Sequence, residues 1–338
     1  MTEQGLPGSG YKLAGLLAGA VLLAFGFIAN IRWGFTSLSW NDTMAALFRY
    51  DESSMNQVIV KLTRLPRALI AAAIGASLAV AGVIMQAISR NPLASPSILG
   101  INSGAALGVV LGVTALAVQN QSTLVWFAFA GAAVAAATVY GLSALGYEGM
   151  TPMRIVLAGA AMSALFMSAT QGLLVRNQSS LQDVLFWLAG SIAGRPLELL
   201  VDVFPYMAIS WLGAWLLSRH LNVLAAGEET AVGVGMRTSL VKIAGGLCVV
   251  LLAGSSVAVA GPIGFIGIVV PHVARYLAGL DHRWLIPYSA VLGATLLLLA
   301  DLAARFVIPP QELPVGVMTA AVGTPFFIYI ARRGKVRA

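Results

Sequence analysis

The side chains that most often do chemistry are few in this chain and stand far apart. His220, His272 and His282 lack cysteine or carboxylate companions at metal-ligand spacing, so they read as loop or helix-end histidines and no metal site is expected. Cys248, the single cysteine, sits in an apolar run, which excludes an internal disulfide or a cysteine cluster and suits a buried, inert thiol. No Gly-x-x-x-x-Gly-Lys-Ser/Thr loop occurs, so the chain has no Walker-type cradle for nucleotide phosphates. No nucleophile, metal cluster or carboxylate pair falls at working spacing near a membrane face. The expectation is a protein that is not an enzyme, with no catalytic residue and no cofactor. Almost all of the 13 acidic residues lie between apolar runs. Asp301 is the clearest exception, and its place four residues before Arg305 puts the two on one helix face as an ion pair. A proton-coupled carrier would hold titrating carboxylates within its spans, so energy is expected from elsewhere.

The elements that must position these residues are set by composition. Of 338 residues, 59% are hydrophobic and 10% charged, against about 25% charged in an ordinary soluble domain. Breaks at Pro, Gly and charge clusters leave apolar runs at 13–29, 66–88, 97–118, 123–145, 154–175, 199–217, 240–260, 263–279, 285–304 and 314–331. The predicted fold is all-α, a polytopic membrane protein of about ten transmembrane helices, with residues 1–338 forming a single transmembrane domain. The run after Lys12 has no clear small-residue cleavage signature and is read as a retained first helix. An even count places both termini on one side, and Lys12, Arg332, Arg333, Lys335 and Arg337 select the cytoplasm. That topology puts 12 of the 20 Lys and Arg inside and 8 outside. The net charge of +7 is scattered over segment ends and forms no basic stripe with interleaved aromatics, so no nucleic acid partner is expected.

Four features stand out on this frame. Arg64 and Arg67, in Arg-Leu-Pro-Arg, fall outside against the usual bias; they either snorkel to headgroups or form a docking patch for an acidic partner. Gly104, Gly108 and Gly112 share a helix face and predict close helix packing. The polar insertion 219–238 carries Glu228 and Glu229 at a helix start, with Gly233 and Gly235 to end it. It reads as two short helices across the membrane face, with Leu221, Val223, Leu224, Val232 and Val234 for a protein partner to bury, or as a solvated loop. A four-residue echo, Ala79-Val-Ala-Gly82 and Ala258-Val-Ala-Gly261, hints at inverted four-span blocks.

Several strings together carry a family resemblance: Arg64-Leu-Pro-Arg67, Gln86 to Gly100 with Asn91-Pro-Leu-Ala-Ser-Pro96, Trp187-Leu-Ala-Gly-Ser191, Gly227-Glu-Glu-Thr-Ala231, Gly261-Pro-Ile-Gly-Phe265, Pro271-His-Val-Ala-Arg275, Asp281-His-Arg283 and Glu312-Leu-Pro-Val-Gly316. Over nearly its whole length the chain resembles the FecCD permeases of ABC importers for iron-siderophore, haem or cobalamin. The resemblance implies a ten-helix subunit in a bacterial cytoplasmic membrane. It would pair with a second permease, identical or homologous, and work with two cytoplasmic ATP-binding subunits and an extracytoplasmic substrate-binding protein.

By the same resemblance, Gly227, Glu228, Glu229, Thr230 and Gly235 would form the coupling segment seated in the ATPase. Arg64, Arg67 and Arg305 would receive glutamates of the binding protein. Asn91 and Leu93, with Thr151 and Pro152, match the cytoplasmic narrowing of relatives, although Asn-Pro is also simply a turn-forming pair. Gln171 and the stretch from Ser179 to Trp187 would border the cargo path. The expected cargo is an iron(III)-siderophore, with haem or cobalamin as alternatives. A stand-alone secondary transporter is the rival from another class.

Overall fold

A computed structural model of the chain describes residues 8–34, 36, 38–145, 151–176, 187–309 and 311–334. Within them the chain is a bundle of apolar helices. The helices are α1 (Gly8–Arg32), α2 (Trp40–Phe48), α3 (Met55–Ile59), α4 (Leu65–Ser89), α5 (Ile101–Ala115), α6 (Gln121–Ala144), α7 (Pro152–Arg176), α8 (Leu197–Ala226), α9 (Glu228–Gly233), α10 (Thr238–Ala260), α11 (Ile266–Ala278), α12 (His282–Ala304) and α13 (Val315–Gly334). Every predicted span has its helix. Seven are long and apolar enough to cross a bilayer; α5, α11 and the apolar part of α13 are shorter. At 1.5 Å per residue, the 13 residues of α11 reach about 20 Å. It follows α10 through irregular backbone at Gly261 to Phe265, which a membrane protein tolerates where protein covers it. Gly261, at φ +73°, requires glycine twice over, since a Cβ there would lie 2.2 Å from the Trp187 carbonyl oxygen.

The core centres on α4. In its most apolar window 83% of residues are buried, against 17% for α7, because α8, α10, α11 and α12 surround it. Small side chains allow this. A Cβ on Gly75 would sit 2.3 Å from the Gly293 oxygen of α12, and one on Gly82 would sit 2.1 Å from the Gly267 oxygen of α11. The glycine face of α5 behaves as its spacing predicts. Cβ atoms on Gly104 and Gly108 would fall 2.4 and 2.2 Å from the carbonyl oxygens of Gly131 and Phe127 on α6. The two glycines of the sequence echo do unlike jobs, since Gly82 seats a neighbouring helix and Gly261 ends α10.

The insertion differs from its prediction. Residues 219–226 are the last two turns of the continuous 30-residue helix α8, and α9 is the one short helix of the segment. Leu221 and Leu224 are buried by the chain itself. No residue between Arg219 and Ala226 breaks a helix, so α8 runs on until Gly227 at φ +134°.

Candidate functional site

At the end of the bundle where α1 stops and α4 starts, the sequence places three arginines around a set of unsatisfied backbone carbonyls. The last carbonyls of a helix have no partner within it, and here arginines supply the donors. Arg64 Nη1 donates to the oxygens of Ile31 (3.0 Å) and Arg32 (2.6 Å), and its Nη2 donates to that of Thr36 (2.6 Å). Arg305 Nη1 donates to the oxygens of Asn30 (2.8 Å) and Trp33 (2.9 Å). Cations at this end also complement the negative pole of the helix dipole.

Asp301 ties the arginines together. Arg67 grips its carboxylate through Nε and Nη2 at 2.8 to 3.0 Å, Arg305 Nη2 reaches it at 2.7 Å, and Asn30 Nδ2 donates at 2.9 Å. The Asp301–Arg305 pair is the one expected from their spacing. Arg67 Nη1 turns instead to Glu312 at 2.6 Å, whose side chain is 26% exposed. Arg64 and Arg67 are therefore buried rather than snorkelling, with 6% and 7% exposure. A π-turn over Val60–Arg64 leads into Pro66 at the start of α4, with Arg64 reaching the end of α1 and Arg67 reaching Asp301 of α12. Sequence reasoning did not single out Asn30; an asparagine at the end of an apolar run was the available signal.

The opposite face carries α9. Gly227 precedes it, Gly235 follows at φ +79°, and Thr230 and Glu229 are exposed with Val232 and Val234. Glu228 points inward and accepts from Lys242 Nζ (2.5 Å) and Thr238 Oγ1 (3.4 Å). The Lys242 hydrogen bond holds the Glu228 carboxyl below its usual range against partial burial, aided by the charges of Lys242 and Arg90. The paired acids thus divide, one fastening the helix and the other facing out.

Five residues before Gly227, Asn222 reaches the start of α12. Its Nδ2 donates to Asp281 Oδ1 at 2.7 Å, while its Oδ1 accepts from the His282 backbone N–H at 2.8 Å and lies 2.7 Å from His282 Nδ1. Asp281 also caps α12 through the Arg283 N–H and pairs with the Arg283 side chain. Sequence reasoning missed Asn222, whose neighbours look like an ordinary helix end.

The residues expected at the narrowing have visible local jobs. Asn91 Oδ1 accepts from the Leu93 N–H at 2.9 Å and closes the turn after α4. Thr151 Oγ1 accepts from the Arg154 N–H at the start of α7. Gln171 is exposed on α7. The stretch 177–186 lies outside the described residues, as do Met150, Lys335 and Arg337. A groove of about 690 Å³ between α1, α4, α8 and α12 is lined by Leu23, Leu69, Phe204, Trp211 and Val291 among others. Its lining is almost wholly apolar and offers a polar chelate little to bond.

These features define a class: a multi-pass membrane transport subunit with a buried charge network at one face and a short projecting helix at the other. The sequence pattern of the FecCD transport family matches residues 22–333, and the chain belongs to that family. It is 53% identical over 306 residues to YfiZ of Bacillus subtilis, named a probable siderophore transport system permease protein, across 90% of this chain and 92% of that one. The Fe(3+)-citrate import system permease protein YfmD of the same organism is 42% identical over 97% of each chain. The ferric enterobactin transport system permease protein FepD of Escherichia coli is 40% identical over 83% of this chain and 84% of its own. Among solved structures, a metal-chelate type ABC transporter in an inward-facing conformation superposes with a TM-score of 0.81 at 29% identity, covering 94% of this chain and 98% of that chain. The chain is thus the permease subunit of an ABC importer, a multi-pass protein of the bacterial cytoplasmic membrane.

Proposed function

We propose that this permease carries iron(III) bound to a siderophore into the cytoplasm, driven by ATP hydrolysis on two separate cytoplasmic subunits. The observation that carries the cargo reading is 53% identity, across nine-tenths of the chain, to a protein named for siderophore transport. Haem and cobalamin stay as the alternative cargoes of the same family. The siderophore satisfies the metal itself, so the path needs no ligand cluster; among the described residues no group of three metal-binding side chains occurs.

In this reading α9 seats in the ATPase through Glu229, Thr230 and its two exposed valines, while Glu228, Gly227 and Gly235 hold its pose. Both termini then lie in the cytoplasm, and the arginine network faces out toward a substrate-binding protein. Arg67 and Arg305 pair with Asp301 and Glu312 while Arg64 bonds backbone carbonyls alone, and this excess of positive charge supports an acidic partner. Arg64, Arg67 and Arg305 shape this surface, and the partly exposed Glu312 is the carboxylate that an incoming one can displace. A second permease covers the sparsely buried α7, and the path between the two is bordered by Gln171 and narrowed by the Asn91–Leu93 turn and Thr151.

The test is uptake of radiolabelled iron on a panel of siderophores, by cells with and without this gene and with the ATPase active or disabled. Loss of one siderophore's uptake on removing either component is the expected result. Uptake that persists with the ATPase disabled points to a self-sufficient carrier and overturns the reading.

A further inference from the structure

We propose that Asn222 is the positioning residue through which movement of α9 reaches α12, and through α12 the arginine network at the opposite face. The proposal rests on the reading of α9 as the ATPase contact. α9 is anchored beside Gly227, where Glu228 binds it to Lys242 and Thr238 of α10. Gly227 alone separates α9 from the end of α8. There Asn222, next to Leu221 and Leu224 that pack into the body, binds α8 to Asp281 and His282 at the start of α12.

The chemistry at that second tie is specific. An asparagine offers donors on one atom and an acceptor on the other, and Asn222 uses both. Its Nδ2 donates a hydrogen bond to the Asp281 carboxylate and its Oδ1 accepts from the His282 N–H, one of the first donors of α12 that no carbonyl within the helix can satisfy. Arg283 holds the same carboxylate from its other side, at 2.8 to 3.1 Å. The start of α12 is thereby fixed to the end of α8 by side-chain bonds rather than by chain continuity.

From there α12 is a stiff connection. Its 23 residues span about 35 Å. Near its middle Gly293 meets Gly75 of α4 with no room for a side chain on either. Its far end carries Asp301, with Arg305 four residues on at its C-terminal cap, both bonded to Asn30 of α1. A shift at Asn222 therefore moves the carboxylate around which the arginines are arranged.

An exchange of the two groups separates this role from mere packing. N222D alone sets two carboxylates against each other and removes the donor. N222D/D281N restores one donor facing one acceptor, keeps an acceptor for the His282 N–H, and keeps an asparagine as the cap of α12. The assembled importer, with its ATPase and binding protein, is reconstituted in proteoliposomes and given radiolabelled iron(III) on whichever siderophore the wild type transports. The readout is iron taken up per ATP hydrolysed. N222D is expected to lower this ratio by about tenfold, the equivalent of roughly 1.4 kcal/mol of coupling, while still co-purifying with the ATPase. The exchange variant is expected to return to within about threefold of wild type, roughly 0.7 kcal/mol. A wild-type ratio in N222D, or an exchange variant no better coupled than N222D, overturns the role. If N222D does not accumulate, N222A is compared with the exchange variant by the same two criteria. Wild-type uptake that does not need the ATPase overturns instead the reading on which the proposal rests.

Discussion

Asp301 is a carboxylate with almost no exposure between two guanidinium groups, and its removal would leave two buried cations facing each other. Breaking a buried pair from one side typically costs about 3 to 5 kcal/mol, because the remaining charge stays desolvated. Asp301→Ala is therefore expected to lower the thermal midpoint of the detergent-solubilised protein sharply, whereas Glu312→Gln, at the partly exposed edge, should cost little. Fluorescence-detected thermal unfolding of both variants reads the difference directly. At the other face Asp281 makes a pH statement. Partial burial raises its pKa, but bonds from Arg283 and Asn222 outweigh that and bring it from an ordinary 3.8 to about 2. A lowered carboxylate stabilises above its unfolded value and loses that contribution as pH falls through its folded value. The Asn222–Asp281 tie should therefore hold throughout the neutral range and fail only between about pH 4 and 2, which the pH dependence of the same unfolding midpoint checks. The sequence made the Asp301–Arg305 pair legible because four residues on a helix are neighbours. Arg67 and Asn30 reach the same carboxylate from 234 and 271 residues away, and no local spacing encodes that.

Helices in lipid gain little from apolar burial alone, so their contacts depend on how closely backbones approach. The glycines of α4 show which positions decide this. Gly82→Ala would press a methyl group to 2.1 Å from the Gly267 oxygen, whereas a Cβ on Gly141 meets nothing within 4 Å. Overpacking of this kind costs about 1 to 3 kcal/mol or more. Gly82→Ala is thus expected to lower folded yield and thermal midpoint, and Gly141→Ala to leave both near wild type, in side-by-side purification. Periodicity made the α5 face readable, because three glycines four apart leave little choice of neighbour geometry. It did not reveal that α8 continues through 219–226. Polar residues there resemble a loop, yet Leu221 and Leu224 face the body and keep the helix going, while Arg219 and His220 point away. The short α11 is legible as an apolar run, but its start depends on Gly261 and Phe265 adopting positive φ, set in a tertiary packing where Gly261 lies against Trp187 and Phe265 against Gly323.

At the scale of the whole molecule, the two faces are joined by rigid parts. The three arginines close the end of α1 against α4 and α12, α4 runs through the centre, and α12 reaches from that end to the face that carries α9, beside Asn222. Glycine contacts between backbones leave its core little room to deform. The division between Glu228 and Glu229 then has a consequence for assembly. Glu229 with the exposed Val232 can be altered without touching an internal bond, so Glu229→Lys combined with Val232→Asp should leave the permease folded. If α9 is the contact with the ATPase, that double variant should fail to co-purify with it and should lose uptake. Glu228→Gln should instead retain the ATPase, because its outward face is unchanged, but loosen α9 from Lys242 and lower uptake per ATP. Co-purification of the ATPase with each variant distinguishes a lost contact from a lost connection. Retention of the ATPase by the Glu229/Val232 variant would remove α9 from the interface, and the importer would then need a different cytoplasmic element to receive its energy.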